Sequence, residues 1–278
     1  MQRDEIYLFD LWRVIRREWH WFAAVLLMAL VITFTFTHTA KRQWEATAWV
    51  QIGQVGEVPS GQDPKAEPLQ RVMERLQTIS FQNDTLHSIG ILPTTQEARL
   101  YRKSLKVDPL AYAGPLVKLS VHAYSPEQAR QFAMATVDQL RAVHRQIEAV
   151  PLALARARLD EVQTNLHGAI DERDGLQQAA GSGSRDEATG KGSSSPVLAS
   201  VLLSTRNEEI RDLQKTRSDL VARLSANYTY ETSLMWPIDV PENQAFPNLP
   251  LTWGLGILLG LAFGTFAAVA RDASRRHI

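Results

Sequence analysis

The segment Ala188 to Ser193, ATGKGS, is where this sequence comes nearest to a nucleotide-binding loop. A phosphate loop needs a glycine five residues before the Gly-Lys pair and a Ser or Thr after the lysine, so that backbone N–H groups cradle phosphate and a hydroxyl reaches the metal. Arg185 and Gly192 occupy those two places, and the segment lies in a polar loop rather than after a strand. No HExxH, GxSxG or GxGxxG string occurs, and the seven histidines are spread along the chain with no pair at metal-ligand spacing. With no cysteine, thiolate chemistry, cysteine metal sites and a disulfide framework are excluded. Asp160, Glu161, Asp171, Glu172 and Asp174 lie on one long helix, where carboxylates form a solvated face rather than an acid pair in a cleft. The residues therefore offer no catalytic centre, no cofactor site and no metal site, and the function must rest on packing surfaces.

Those surfaces begin in a membrane. The chain is 45% hydrophobic and carries 30 basic and 30 acidic side chains, an average that hides two uncharged stretches near the ends. Trp19 to Ala40 holds 22 residues and Leu251 to Ala270 holds 20, each free of Asp, Glu, Lys and Arg and each long enough to cross a bilayer core. Eighteen residues, four of them acidic, precede the first stretch, which marks an uncleaved anchor rather than a signal peptide. Arg3, Arg13, Arg16 and Arg17 before it, and Arg271, Arg275 and Arg276 after the second, predict that both tails stay cytoplasmic. The 210 residues between then lie on the far side, with 23 basic and 25 acidic residues. Nothing in that balance supplies the clustered cations that nucleic acid requires.

In the second stretch Gly256, Gly260, Gly264 and Ala268 recur every four residues and form one small-residue face, a packing seam for this protein's own first span, a second copy or a partner. Directly after the first span, Trp44, Ala46, Ala48, Val50 and Ile52 alternate as in a strand. A polar turn region with Gly56, Pro59, Gly61, Pro64 and Pro68 leads to helical periodicity over about Leu69 to Ile89, with an interruption near Ser80. Val117, Leu119, Val121 and Ala123 alternate again, and Ser125-Pro126 opens a helix running to about Val150.

Pro151 predicts a break or kink, after which Leu152, Ala155, Leu159, Val162, Leu166, Ala169, Arg173, Leu176 and Ala180 follow heptad steps over about 45 Å. Nine of the fifteen residues from Gly181 to Ser195 are Gly or Ser, which predicts a flexible loop. Ser195-Pro196 then opens a second heptad helix through Ala199, Leu203, Arg206, Ile210, Leu213, Arg217, Leu220 and Leu224. The two form an antiparallel hairpin whose seam is interrupted by Arg173, Arg206 and Arg217; these either face neighbouring copies or an aqueous lumen, or snorkel along the pair edge. Tyr228 to Val240 reads as a return strand beside the first, and Pro237, Pro241, Pro247 and Pro250 stiffen the approach to the second span.

The expected fold is an α+β membrane protein: two transmembrane helices flanking a domain with a small mixed α/β base next to the membrane and a long projecting antiparallel helical hairpin. Its parts are an N-terminal tail (1–18), the first span (19–40), the base (41–150), the hairpin (151–227, with its loop at 181–195), the return strand and proline linker (228–250), the second span (251–270) and the C-terminal tail (271–278).

The residues DEIYLFDLWRVIRR ahead of the first span, WEATAWVQIGQVG after it, YSPEQARQFA at the helix start, and the proline-rich approach to a glycine-rich second span resemble, in order, the Wzz family of polysaccharide chain-length determinants. Pro241, Pro247 and Pro250 match the family's proline run, whereas Pro237 lies one residue further away and Phe246 and Asn248 stand where Ser and Lys are usual. The resemblance implies a polysaccharide co-polymerase of the bacterial inner membrane with a periplasmic, ring-like homo-oligomeric domain. It implies no enzymatic activity, a membrane polysaccharide polymerase as partner, and a lipid-linked polysaccharide as a further candidate, with O-antigen-type chain length as the regulated quantity. Larger relatives carry a fused tyrosine kinase; the eight residues after the second span include no tyrosine, so no kinase is expected here. A capsule or exopolysaccharide export component and a transmembrane sensor are the alternatives, the latter lacking an output module.

Overall fold

The computed structural model describes residues 16–56, 63–110, 114, 116–186 and 196–276. Most of the DEIYLFDLWRVIRR segment, Pro59 and Gly61, and the ATGKGS segment lie outside the described residues.

Helix α1 (Trp19–Thr39) is the first candidate span and leads within a few residues into strand β1 (Trp44–Gln51). The alternation expected there turns Ala46, Ala48 and Val50 fully inward. Helices α2 (Leu69–Gln77), α3 (Ile79–Ser88) and α4 (Gln96–Ser104) follow. The interruption expected near Ser80 falls at Thr78, whose hydroxyl accepts the Phe81 N–H at 3.4 Å and so caps α3. Strands β2 (Lys106–Leu110) and β3 (Leu116–Ala123) come next, and β4 (Ser233–Leu234) completes a four-stranded sheet in the order β2-β3-β1-β4. β1 and β3 pair antiparallel from Trp44 opposite Ala123 to Gln51 opposite Leu116.

β2 was not expected from the sequence. Pro109 lacks the N–H that a central strand uses. β2 is an edge strand in which Pro109 sits opposite Val117, a kind of sheet position that tolerates proline. The return strand is also shorter than expected. Only Ser233 and Leu234 form a ladder with β1; isolated bridges join Asp239 to Thr47 of β1, Tyr230 to Gln54 just after it and, from the linker, Phe246 to Gln43 just before it. Pro237 and Pro241 interrupt the run of donors a continuous ladder would need.

Helix α5 (Pro126–Asp186) has 61 residues. Its start is capped as expected: the Ser125 hydroxyl accepts the Gln128 N–H at 3.1 Å, and the Gln128 side chain accepts the Tyr124 N–H at 3.2 Å. Of the break or kink expected at Pro151, no break occurs: the helix runs through it and on to Asp186, six residues into the segment read as loop. A single proline removes one helical hydrogen bond, and packing on either side of it overrides that local cost. At about 1.5 Å per residue α5 extends roughly 90 Å. Its first half lies on the sheet, where Phe132 packs at 5.2 Å between ring centres against Tyr101, whose hydroxyl pairs with Thr136 at 2.8 Å. Its second half pairs with α6 (Pro196–Arg223), burying Leu166 and Ala169 against Ile210. The candidate base and arm are thus two stretches of one helix, not two helices. Helix α7 (Leu249–Arg276) is the second candidate span and packs along α1.

Candidate functional site: the paired spans and the root of the arm

The small-residue face of α7 meets α1 of the same chain. A β-carbon added at Gly256 would run into the side chain of Thr33, and one at Gly260 would come within 2.8 Å of Leu26 Cδ1 and 3.2 Å of the Ala29 β-carbon. At Gly264 it would stand 2.9 Å from the ring of Phe22, while Ala268 is fully buried. Gly254, outside this register, would meet nothing within 4 Å. The contrast singles out one face on which the two backbones approach closely, as packing between helices in lipid favours. The tail end of the pair is tied by an ion pair between Arg17 and the buried Asp272, and the Arg271 guanidinium lies 5.4 Å from the centre of the Trp21 ring.

The four prolines are strung out rather than gathered. Between them the linker is fastened to β1: Thr47 and Asp239 exchange hydrogen bonds of 2.8 and 2.9 Å, Gln43 donates to the Phe246 carbonyl at 2.9 Å, and Ala245 donates to the Gln43 carbonyl at 2.8 Å. Trp236 meets Trp49 edge-on at 5.8 Å. The Phe246-Pro247 peptide is cis, Pro247 is buried, and Pro250 sits in the first turn of α7, where its missing N–H is harmless.

At the root of the arm the structure assembles a buried polar cluster that the sequence did not disclose. Glu67, 2% exposed, accepts two hydrogen bonds of 2.8 and 2.9 Å from Arg75. Behind it lies His144, wholly buried, with Nε2 3.6 Å from Glu67 Oε2 and Nδ1 2.5 Å from the Thr232 hydroxyl. That hydroxyl already accepts the Gly53 N–H at 2.8 Å, so it is placed to donate to Nδ1, leaving Nε2 as the N–H that faces the carboxylate. One turn further along α5, Glu148 is 6% exposed, its Oε1 has no hydrogen-bond partner, and a β-carbon on Gly53 would collide with that oxygen. Only glycine fits at residue 53.

These environments separate the titrations. Burial raises the Glu67 carboxyl, but the hydrogen bonds and charge of Arg75, aided by His144, outweigh it and hold the group below its usual range. Burial lowers His144 despite Glu67 beside it. Burial, reinforced by the charge of Glu231, pushes Glu148 up to about 7. Arg141 and Arg145 complete the tie to the return segment, through the Thr232 carbonyl at 3.0 Å and the Glu231 carboxylate at 2.8 Å. The histidines, read as isolated, do include this core member. Its signal was available on α5, where His144 and Glu148 continue the inward stripe of Phe132, Thr136 and Leu140 at helical spacing. Its partners come from residues 53, 67 and 232, which no local pattern connects.

The arginines in the arm seam have local partners: Arg206 bridges to Glu172 of α5 and Glu209, and Arg173 pairs with Asp174 at 2.6 Å. Arg217 is exposed. Among the described residues no group of three or more His, Cys, Asp or Glu is arranged to hold a metal ion.

Residues 4–94 match the family model for Wzz, the chain length determinant protein. No curated protein matches the chain. Solved structures similar to it include a full-length bacterial polysaccharide co-polymerase, at 15% identity and a TM-score of 0.42, the alignment covering 97% of this chain and 99% of that one. A point mutant of the Shigella flexneri lipopolysaccharide O-antigen chain-length regulator WzzBSF aligns at 13% identity and a TM-score of 0.28, over 73% of this chain and 99% of the other. The periplasmic domain of a chimeric WzzB chain length regulator aligns at 15% and 0.28, over 72% and 98%. The family match spans the first candidate membrane helix, β1, α2 and α3.

Proposed function

We propose that this protein regulates the chain length of a polysaccharide of the O-antigen type, as a non-catalytic scaffold that works beside a membrane polysaccharide polymerase. The observation that carries the reading is the family match over the membrane-entry segment, joined to an architecture in which paired spans fix a compact base and the base roots a long arm. In this reading both tails are cytoplasmic, on the side marked by Arg16, Arg17, Arg271, Arg275 and Arg276, and the base and arm lie in the periplasm. The fastened linker makes base and span move together, so an orientation set in the bilayer is transmitted to the arm.

Ring-like association of several copies belongs to the same reading. Leu154, Val201 and Leu202 on the arm are all more than half exposed, and a hairpin with such a surface gains by lying against neighbours. A lipid-linked polysaccharide would then grow beside the arms, which set how long the polymerase keeps extending it. Surface polysaccharide from cells with and without the gene tests the proposal. Loss of a clustered band of long chains, leaving a short unregulated ladder, is the expected result. Disappearance of all polymer would point instead to export, and an unaltered distribution would contradict length control.

A further inference from the structure

Where the chain leaves the membrane, a cavity of about 810 Å³ opens between the end of α1, the start of β1, the linker and the first turn of α7. That volume is in the usual range for a ligand site. Its lining combines the indoles of Trp44 and Trp253 with Arg42, Glu242, Asn243 and Asn248. Tryptophans at this level are those of a membrane interface, with an apolar body and a polar edge.

The charges are unusual in being opposite and unmatched. Arg42 and Glu242 line the same cavity, yet neither makes an ion pair or hydrogen bond among the described residues. The neighbouring cation, Lys41, is turned elsewhere, bonded to Gln96 Oε1 at 2.7 Å and lying 5.4 Å from the centre of the Tyr124 ring. His38, also in the lining, stacks on Phe34 at 4.7 Å. A purely anionic ligand would satisfy Arg42 and be opposed by Glu242; a purely cationic one would do the reverse. A ligand carrying both signs answers both groups.

We propose that this cavity holds the headgroup of a zwitterionic membrane lipid bearing a phosphate and a primary ammonium, the phosphate on Arg42 and the ammonium between Glu242 and the indole faces. Arginine offers a planar fork of donors to phosphate oxygens. An ammonium can donate to the Glu242 carboxylate and the Asn243 side-chain carbonyl while its charge is stabilised by an indole face. A quaternary ammonium has no hydrogens to donate there. The inference rests on α1 and α7 spanning the membrane and is independent of polysaccharide length control.

Native mass spectrometry of the full-length protein in detergent, titrated with phosphatidylethanolamine, phosphatidylglycerol or phosphatidylcholine of identical acyl chains, tests it. The expected result is roughly fivefold or greater retention of phosphatidylethanolamine over both others, a difference of about 1 kcal/mol. Glu242→Gln should abolish the preference over phosphatidylglycerol, and Arg42→Gln should weaken retention of all three. Both side chains are exposed and unpartnered, and an unchanged melting temperature in each variant establishes that the fold is intact. Equal or stronger retention of phosphatidylglycerol would overturn the zwitterionic assignment, and equal or stronger retention of phosphatidylcholine would overturn the primary ammonium. Retention of free phosphoethanolamine at an affinity equal to or above that of phosphatidylethanolamine would overturn a membrane lipid as the occupant. Selectivity unaffected by either substitution would remove the cavity from the account.

Discussion

Where α5 crosses the base, its inward side chains Ala129, Phe132, Ala133, Val137 and Leu140 are 2% exposed or less; along the arm, Val162 and Leu166 retain 8% and the seam includes Arg173 and Arg206. The base is closed by its own chain, with sheet, three short helices and α5 contributing to one core. The arm has a single partner helix, a seam sealed by small patches such as Leu166, Ala169 and Ile210, and apolar residues left on the outside. One continuous helix therefore belongs to a self-sufficient domain at one end and to an incompletely covered hairpin at the other. The difference locates fold stability in the base and leaves the arm's surface available for function.

Emptying the base should have the largest effect. Phe132→Ala removes a fully buried ring beside Tyr101 and should cost ~3–5 kcal/mol, seen as a large fall in the urea midpoint and as proteolysis throughout the outer region. The matching truncation in the arm, Ile210→Ala, should cost about 1–2 kcal/mol, because its site is thinner and collapses more easily. Its effect should be confined to faster amide exchange in distal α5 and α6. Equal, global effects of the two substitutions would show that arm and base unfold as one unit.

The root of the arm sharpens the comparison through pH. Glu148 is held protonated in the folded state, at about 7 against an ordinary carboxyl near 4.5, so the folded state binds its proton more tightly and this contribution to stability declines as pH rises from about 4.5 through 7. His144 acts in the opposite sense: with its folded value lowered, stability falls as pH drops below about 6.5. Glu148→Gln removes the first effect alone. The stability of the variant relative to the parent should therefore increase between pH 5 and pH 7.5 by on the order of 1–2 kcal/mol and level off above, as read from urea midpoints. A pH-independent difference would mean that Glu148 ionises freely in the folded protein. The smallest effect belongs to Arg206→Ala, which takes a half-buried arginine from Glu172 and Glu209 and should cost only ~0.2–1 kcal/mol, a shift of the arm's exchange protection and not of the base.

Sequence patterns revealed those parts of the molecule governed by local rules. Alternation disclosed β1 and β3, Ser125-Pro126 fixed the start of α5, and the spacing of Gly256, Gly260 and Gly264 marked a face that the structure lays on Phe22, Leu26 and Thr33. Where tertiary packing overrode a local signal, the reading failed. Of the break or kink that Pro151 argues for, no break occurs, and α5 runs on through it. Gly181 and Gly183 likewise lie within α5 although their composition indicates loop. The cluster of Glu67, His144 and Thr232 was not legible because its members are separated by 77 and 88 residues and meet only when the return segment is laid against α5.

In the proposed function, close packing of the two spans sets the scaffold that governs chain length, and the double variant Gly260→Leu, Gly264→Leu probes that packing. Leucine at these places must displace Leu26, Ala29 and Phe22, so the spans cannot keep their present approach. Surface polysaccharide would be separated on a gel from cells in which this variant replaces the parent at equal membrane abundance. The expected result is that the clustered long-chain band gives way to a short, unregulated ladder with total polymer maintained; an unchanged band together with unchanged assembly would refute a role for the span packing.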